Sequence, residues 1–573
     1  LLVAIIVFYY PILEYFGLVQ ESVPIPADQQ TEISDTAVET GLYPDPATTA
    51  VQPAETVPTG DAITTDNALA VIPDGVSPDT VVIITGKYEV SLSSFGGGPV
   101  SMILREYGLR DGTPIEMMPN AVAATPEARF AGGTLSASQL NYSCNLAAGR
   151  YESAGSSTEV VYTYTNAAGG QLIKRYIFYP EDYHYDLVLT VNGREHLGFE
   201  RKYSLIWNTP LGVTEPQADQ DYEAMEAVAM MAGSRETLDD YEDNILNQSL
   251  EGYTTWAGVR QKYFAAVMIP RSRSAAEVSG VFANGSMRDT TIAGEGVERR
   301  LITVGMDLEF AAMSSFSDSF TVFVGPLDYE LLSSYNVDLE DMLGIGTMPF
   351  VGWIIKPFAL GVIWLLPRLY DYIPNYGLVI ILFALLVKLV TLPLSMKSFK
   401  AMQAMRDLQP QIDKLKKQFK NDAQALNKAT MKLYRNSGVS PMSGCLPMLP
   451  QMPLFISMFA VFRSTILLRD APFFWIFDDL SRGASGPTDP YIILVVIMVG
   501  AQFVSQKVTM PSTGQNKMLG YMMPLFMGFI FYRFAAGLVL YWICFSLFAM
   551  LDFVLFKRNK KNIEVKNTNV KKA

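Results

Sequence analysis

The sequence predicts a multidomain membrane protein, with an N-terminal anchor helix, a β-sandwich lying outside, and a five-helix transmembrane core carrying a cytoplasmic helical hairpin. Three observations lead there. First, the 573 residues are 49% hydrophobic with a mean hydropathy of +0.18; the chain exceeds one average core and suits soluble and membrane parts together. Second, the formal charge of -13 divides unevenly: residues 1–345 hold about 18 Lys+Arg against about 47 Asp+Glu, and residues 346–573 about 26 against about 10. Third, apolar and polar residues alternate through the first half, whereas long apolar runs fill the second. An acidic half is a poor match for nucleic acid, so no specific nucleic-acid sequence is expected as a partner. A basic half interleaved with apolar runs fits loops beside an anionic cytoplasmic leaflet.

The chain opens with LLVAIIVFYYPILEYFGLV. Residues 1–19 are expected to form an uncleaved membrane anchor rather than a signal peptide, because no small-x-small cleavage pattern follows. The absence of an initiator Met leaves room for cytoplasmic sequence before it. Residues 20–80, rich in Pro, Thr, Ala, Asp and Glu, read as a flexible acidic linker. Residues 81–345 alternate as in EVVYTYTNAAGGQLIKRYIFYP and YDLVLTVNG, which predicts a large, mostly antiparallel β domain of sandwich type. A helical or irregular insert is expected over DYEAMEAVAMMAGSRETLDDYED, residues 221–243. Gly96, Gly97 and Gly98 suit a turn, since no helix with a following Lys-Ser/Thr makes them a phosphate loop.

Residues 376–556 form the expected core, with apolar runs at about 376–396, 446–468, 491–506, 518–534 and 538–556. A sixth run, FVGWIIKPFALGVIWLLPRLYDYIP at 350–374, is decided by topology. With the β domain outside and this segment lying in the interface, the loop at 397–435 and the tail both reach the cytoplasm, as the positive-inside rule demands. Residues 346–375 are therefore expected as an interfacial amphipathic helix, broken at Pro357 and Pro367. Within the hairpin, 397–436, the stretch MKSFKAMQAMRDLQPQIDKLKKQF carries Phe399, Met402, Met405, Leu408, Ile412 and Leu415 at three- and four-residue steps, which predicts one amphipathic helix. A shorter helix follows a turn near Asn421-Asp422 and ends at Gly438. The stripe is either hairpin core or, being Met-rich, a surface for varied apolar segments. Residues 557–573 form a basic cytoplasmic tail, a leaflet anchor or a contact for ribosomal RNA phosphates.

Within ILFALLVKLVTLPL one residue stands out: Lys388. A helix entering at Tyr376 and rising about 1.5 Å per residue places it roughly 18 Å along, past the midplane of a ~30 Å core. A cation there costs about 2.5–3.5 kcal/mol on insertion scales, so it faces protein or water. It either snorkels or pairs with Asp552, or it lines a hydrated recess and awaits an anionic partner. Gln451, Gln502, Ser505, Tyr541 and Ser546 offer a neutral polar lining, and Asp470 lies just outside a run. Cys144, Cys445 and Cys544 are too scattered for a disulfide framework or zinc site. Histidine occurs only as His184 and His196, in the first half, which excludes imidazole chemistry from the membrane part. No cofactor or catalytic residue is expected.

The stretches KAMQAMRDLQPQIDKL, SGVSPMSGCLPMLPQMPLFISMF, LRDAPFFWIFDDLS, MMPLFMGFIF and AAGLVLYWICFS closely resemble the YidC membrane protein insertases of the Oxa and Alb superfamily. The likeness covers about residues 348–560 in order. The anchor and β domain resemble, by layout, the Gram-negative form with its periplasmic β-supersandwich. The resemblance implies an inner-membrane insertase and chaperone whose hydrophilic groove carries a cation, commonly arginine, here at Lys388. It also implies groove positions at Gln451, Tyr541 and Trp542, and a hairpin that receives substrate. Nascent membrane proteins and the bilayer are the implied partners, with the Sec translocon and the ribosome beside them. Lys388 keeps the charge but loses the guanidinium fork; Pro450 and Ser443 also depart from the family's usual residues.

Two other functions are open to the sequence. A small-solute or anion transporter could use Lys388, although no internal duplication or paired broken helices appear. The outer domain could bind carbohydrate or a partner, a reading that rests on fold analogy alone.

Overall fold

Alternation at a period of two shapes the outer half. In the strand His184–Asn192 every second residue is buried, and Leu187, Leu189 and Val191 point into one core. The computed structural model describes residues 78–551, apart from 120, 122, 132–136, 274–276, 293–294, 310–312, 348–350, 421, 439–447 and 510–513. The predicted anchor, nearly all of the linker, the basic tail, Cys445 and Asp552 lie outside the described residues.

Three sheets build the outer domain. The largest has nine strands, in the order Ser234–Leu238, Glu226–Met231, Thr254–Arg260, Phe264–Pro270, Phe316–Pro326, His184–Asn192, Gln171–Phe178, Thr158–Thr165 and Ser143–Cys144. A six-stranded sheet centres on the long antiparallel pair Val278–Ile292 and Glu295–Glu309. A five-stranded sheet contains Thr80–Ile84, whose pairing with Gly149–Glu152 is parallel. Trp207, Trp256, Tyr176, Phe178 and Phe264 are among the largest side chains sealed in the core.

The glycine run is a turn, as expected. Gly96 and Gly97 adopt φ of 79° and 60°, a conformation that costs glycine least. Their carbonyls accept from the buried Lys174 ammonium at 2.7 Å and the Tyr176 hydroxyl at 3.0 Å.

The insert expected at 221–243 is corrected. A short helix, Ala218–Glu223, gives way to the strands Glu226–Met231 and Ser234–Leu238. Five of the six residues of EAVAMM are buried, so Ala and Met there fill a sheet interior, and tertiary packing overrides their helical preference.

The helical half comprises α1 (Gly352–Tyr372), α2 (Tyr376–Asp407), α3 (Gln409–Gln418), α4 (Ala423–Asn436), α5 (Met448–Ser464), α6 (Ile492–Thr509), α7 (Gly514–Phe531) and α8 (Ala536–Leu551). Among the described residues, α1 and the 376–397 stretch of α2 are long and apolar enough to cross a membrane, with shorter apolar helices at Ile492–Lys507, Met522–Phe531 and Ala536–Leu551.

Two expectations fail here. The helix α1 is not broken at Pro357 or Pro367 but runs through both. Each proline removes one ladder hydrogen bond, a loss that packing against a neighbouring helix can offset; α1 lies against α5, where the Ser457 hydroxyl donates to the Ile355 carbonyl at 3.0 Å. The first arm of the hairpin is likewise not one separate helix. The span continues unbroken to Asp407, and the chain restarts after Leu408, with Pro410 in the first turn of α3, where its missing N–H is harmless. The turn near Asp422 is as expected: its carboxylate caps α4 by accepting from Ala425 N–H at 2.8 Å.

Candidate functional site

The lysine predicted to matter is held inside. Lys388 is 4% exposed, and its ammonium lies 5.0 Å from the Phe545 ring centroid of α8, a cation–π arrangement that gains strength away from water. One turn earlier on α8, Tyr541 is sealed, 5.9 Å from Phe545 and 6.1 Å from Phe383 of α2 between ring centroids. Its hydroxyl has no hydrogen-bond partner among the described residues, and neither has the buried carbonyl oxygen of Gln506. A hydroxyl and an amide left so among apolar helices cost free energy until water or another polar group meets them. By contrast, the hydroxyls of Thr391, Ser395, Ser457 and Ser464 each return to a carbonyl of their own helix.

A second cluster forms on the neighbouring face of α8. The Trp542 indole N–H donates to Gln502 Oε1 of α6 at 3.2 Å, and its ring meets Phe455 at 5.0 Å and Phe531 at 5.4 Å. Gln451, half-buried in the first turn of α5, stands one turn before Phe455 on the same side of that helix. Lys388 and Tyr541 therefore share one cluster, while Trp542 and Gln502 share another with Gln451 beside it. Gln506 is the residue the sequence reading missed. Its signal was the four-residue step from Gln502, which puts both amides on one face of α6.

In the hairpin, Ile412 is buried and Met405, Leu408 and Leu415 are half-buried. Phe399 and Met402 lie on α2, and their side chains are outside the description. The two histidines do not form a pair. His184 starts the strand His184–Asn192 with Nδ1 2.9 Å from the Tyr335 hydroxyl, and His196 follows that strand's far end, roughly 25 Å away at 3.3 Å per residue. No group of His, Cys, Asp and Glu among the described residues could hold a metal.

The outer domain and the helices meet at a buried charge. After α5, the Arg469 guanidinium donates to Glu215 at 2.7 Å, to the Gly108 carbonyl at 2.9 Å and to the Thr214 carbonyl at 3.0 Å. Burial pushes the Glu215 carboxyl up to about 7, against the pull of Lys262 and Arg469. Burial opposes the Arg469 charge too, but Glu215 outweighs it and keeps that pKa above the usual guanidinium value. Arg110 of the outer domain pairs with Asp478. Two cations of α1, Lys356 and Arg368, face Asp341 at 2.9 Å and Glu330 at 3.9 Å.

Residues 80–360 match the YidC periplasmic domain, and residues 368–563 match the 60Kd inner membrane protein family. The chain is similar to the membrane protein insertase YidC of Chlorobium phaeovibrioides, 32% identical over 72% of this chain and 71% of that one. It is also similar to the YidC insertase of Syntrophus aciditrophicus, 29% identical over 93% and 94% respectively. A crystal structure of an active YidC insertase aligns with 83% of this chain and 92% of that one at 19% identity, with a TM-score of 0.35.

Proposed function

The chain belongs to the YidC family of membrane protein insertases, which work at the inner membrane and pass nascent membrane proteins into lipid, and from that premise we propose that Lys388 is the groove charge that draws an acidic substrate segment inward. The protein is an insertase and not an enzyme, and the transporter alternative has no support among these relatives. The observation that carries the reading is a buried ammonium on α2 set over the Phe545 ring of α8, one helix turn from which Tyr541 holds a buried hydroxyl with no partner among the described residues. In a site of low effective dielectric, Coulomb attraction for a passing carboxylate strengthens, and the polar lining shortens the apolar path it must cross.

Gln451 and Trp542 extend this groove, and the stripe of Phe399, Met402, Met405, Leu408, Ile412 and Leu415 receives the apolar part of the substrate. We read the membrane part as five spans: the 376–396 stretch of α2, then α5, α6, α7 and α8. Residues 1–19 add the anchor, and the basic tail at 557–573 stays in the cytoplasm, where the ribosome and the Sec translocon are the proposed partners. The interfacial reading of 346–375 has independent support. Lys356 and Arg368 lie about 18 Å apart along α1, yet both pair with the short outer segment 330–341. A helix crossing the bilayer would carry one of them away.

The test is insertion of a single-span substrate with an acidic outward tail into proteoliposomes, scored by protease protection. Lys388→Ala is expected to lower insertion about tenfold or more, matching a buried-charge contact near 1.4–3 kcal/mol. Lys388→Glu should lower it further, and a basic tail should restore it. Equal insertion by wild type and both variants would overturn the role given to Lys388.

A further inference from the structure

Between α5 and α6 the chain closes a small hairpin with an apolar tip. Phe473 N–H donates to the Phe477 carbonyl at 2.7 Å, and Leu480 N–H to the Ala471 carbonyl at 3.0 Å. Phe473 and Phe477 are buried as feet, whereas the three residues between them turn outward: Phe474 is 63% exposed, Trp475 91% and Ile476 45%. An aromatic side chain carries about 150–250 Å², so this tip presents on the order of 400 Å² of apolar surface, enough to mark an interaction site.

The tip is held rigidly. Phe474 sits at a φ of +51°, which is rare for a bulky residue and persists only when its surroundings impose it. The Tyr491 ring meets Phe477 edge-on at 5.4 Å. Its hydroxyl accepts from Asp479 N–H and donates to Asp478, each at 2.8 Å. Below, Arg469 and Arg110 fasten the same loop to the outer domain.

Its height follows from what it adjoins. Asn375 donates through its side-chain amide to the Pro472 carbonyl at 3.3 Å, and its side-chain oxygen caps α2 at Leu378 N–H. Phe473 lies so close on Gly377 that a Cβ there would collide with the ring. The base of the hairpin is thus bolted to the first turn of α2, the more apolar of the two span-length helices among the described residues. Tyr370 and Tyr376 stack at 4.2 Å beside it, and Tyr372 is exposed, the aromatic belt expected where a helix enters lipid.

We propose that Phe474, Trp475 and Ile476 form an apolar spike that inserts into the outer leaflet beside the entry of α2, with lipid as its occupant. The charged neighbours tell what kind of lipid contact this is. Asp470 and Asp478 flank the tip, while the nearby cations Arg469 and Arg110 are engaged with carboxylates. The cations bonded to the acids beside the spike are thus already paired, and its insertion is apolar, indifferent to headgroup charge and to salt.

The test uses the full chain in vesicles, with Cys144, Cys445 and Cys544 replaced by serine. A single Trp475→Cys carries an environment-sensitive fluorophore, and Ala168→Cys, on an exposed turn of the outer domain, serves as control. The spike predicts blue-shifted emission at position 475 and quenching by shallow nitroxide lipids about threefold or more above that by aqueous iodide, as for an interfacial tryptophan. The pattern should be the same in wholly zwitterionic vesicles and in vesicles with anionic lipid. Iodide access equal to that of the control would overturn the proposal, as would protection that appears only when another protein is added. Because Trp475 is almost fully exposed, the substitution leaves the fold intact, and an unchanged melting temperature verifies this. Loss of insertion by Lys388 variants leaves this readout untouched, so the two readings fail separately.

Discussion

The outer domain and the helical core invert one another. In the outer domain, large apolar side chains such as Trp256 and Phe264 are sealed, and buried charges find hydrogen-bond partners, as Arg273 with Asp318 and Lys174 with the Gly96 carbonyl. In the core, Val390, Phe529 and Trp364 face outward, and buried hydroxyls fold back on their own helices. The same physics acts on both: each surface matches its solvent, water in one case and hydrocarbon in the other. Lys388 is informative because it breaks the core's rule, and the Phe474–Ile476 tip because it breaks the rule of the watery side.

The largest effect should come from breaking a paired charge in the outer domain. Arg273 grips Asp318 with two hydrogen bonds of 2.7 and 2.8 Å, and Tyr203 donates to the same carboxylate. Asp318→Ala strands both donors and should cost about 3–5 kcal/mol, read from denaturant unfolding of the outer domain followed by tryptophan emission.

A matched pair of substitutions sharpens the solvent contrast. Val504 of α6 and Tyr253 of the outer domain are both exposed apolar residues. In bilayer nanodiscs Val504→Lys, about 18 Å from the start of α6, should cost roughly 2.5–3.5 kcal/mol, whereas Tyr253→Lys should stay within ~0.5 kcal/mol. Equal costs would show that α6 does not lie in lipid.

A smaller loss is expected at the loop that joins the two halves. Burial alone would raise Asp489, but hydrogen bonds from Ser485 and Tyr491 N–H, with the Arg482 charge, hold it at about 2. Its stabilisation is present above its unfolded pKa and fades as pH falls through about 2. Asp489→Asn at neutral pH should cost about 1.5–3 kcal/mol, the range for hydrogen bonds to a charge, and should flatten the acid limb of the melting curve.

The mildest test is a pH series on Glu215→Gln. Because burial lifts the folded carboxyl to about 7, above its unfolded value, the folded form holds the proton more tightly. Its contribution is complete at low pH and lost as pH rises through 7. The melting temperature of the wild type should therefore fall relative to Glu215→Gln between pH 5 and pH 8. A constant difference across that range would mean that the Glu215 proton plays no part.

Local signals were legible where one short rule decides them. Continuous apolarity located the start of α2 and the extents of α5, α6, α7 and α8 to within about five residues, and the Asp422 cap and the Gly96–Gly97 turn follow from single residue types. The reading failed where partners decide. EAVAMM looks helical in isolation, yet it is a strand because the strands beside it, Thr254–Arg260 and Ser234–Leu238, supply its hydrogen bonds. Two prolines suggested a broken α1, yet the helix persists against α5. Pro410, unremarked in the sequence, marks the restart after Leu408.

For the site, the sequence alone singled out Lys388, because a cation in an apolar run is costly wherever the helix ends up, and the opposite charge of the two halves is likewise a property of the sequence. Which groups face that cation was a tertiary matter. Phe545 comes near it, with Tyr541 one turn along on α8, through the packing of helices more than a hundred residues apart. The Arg469–Glu215 contact joins residues 254 apart. Periodicity is a property of neighbours along the chain and survives in the sequence, whereas the pairing of distant side chains depends on how whole elements are brought together.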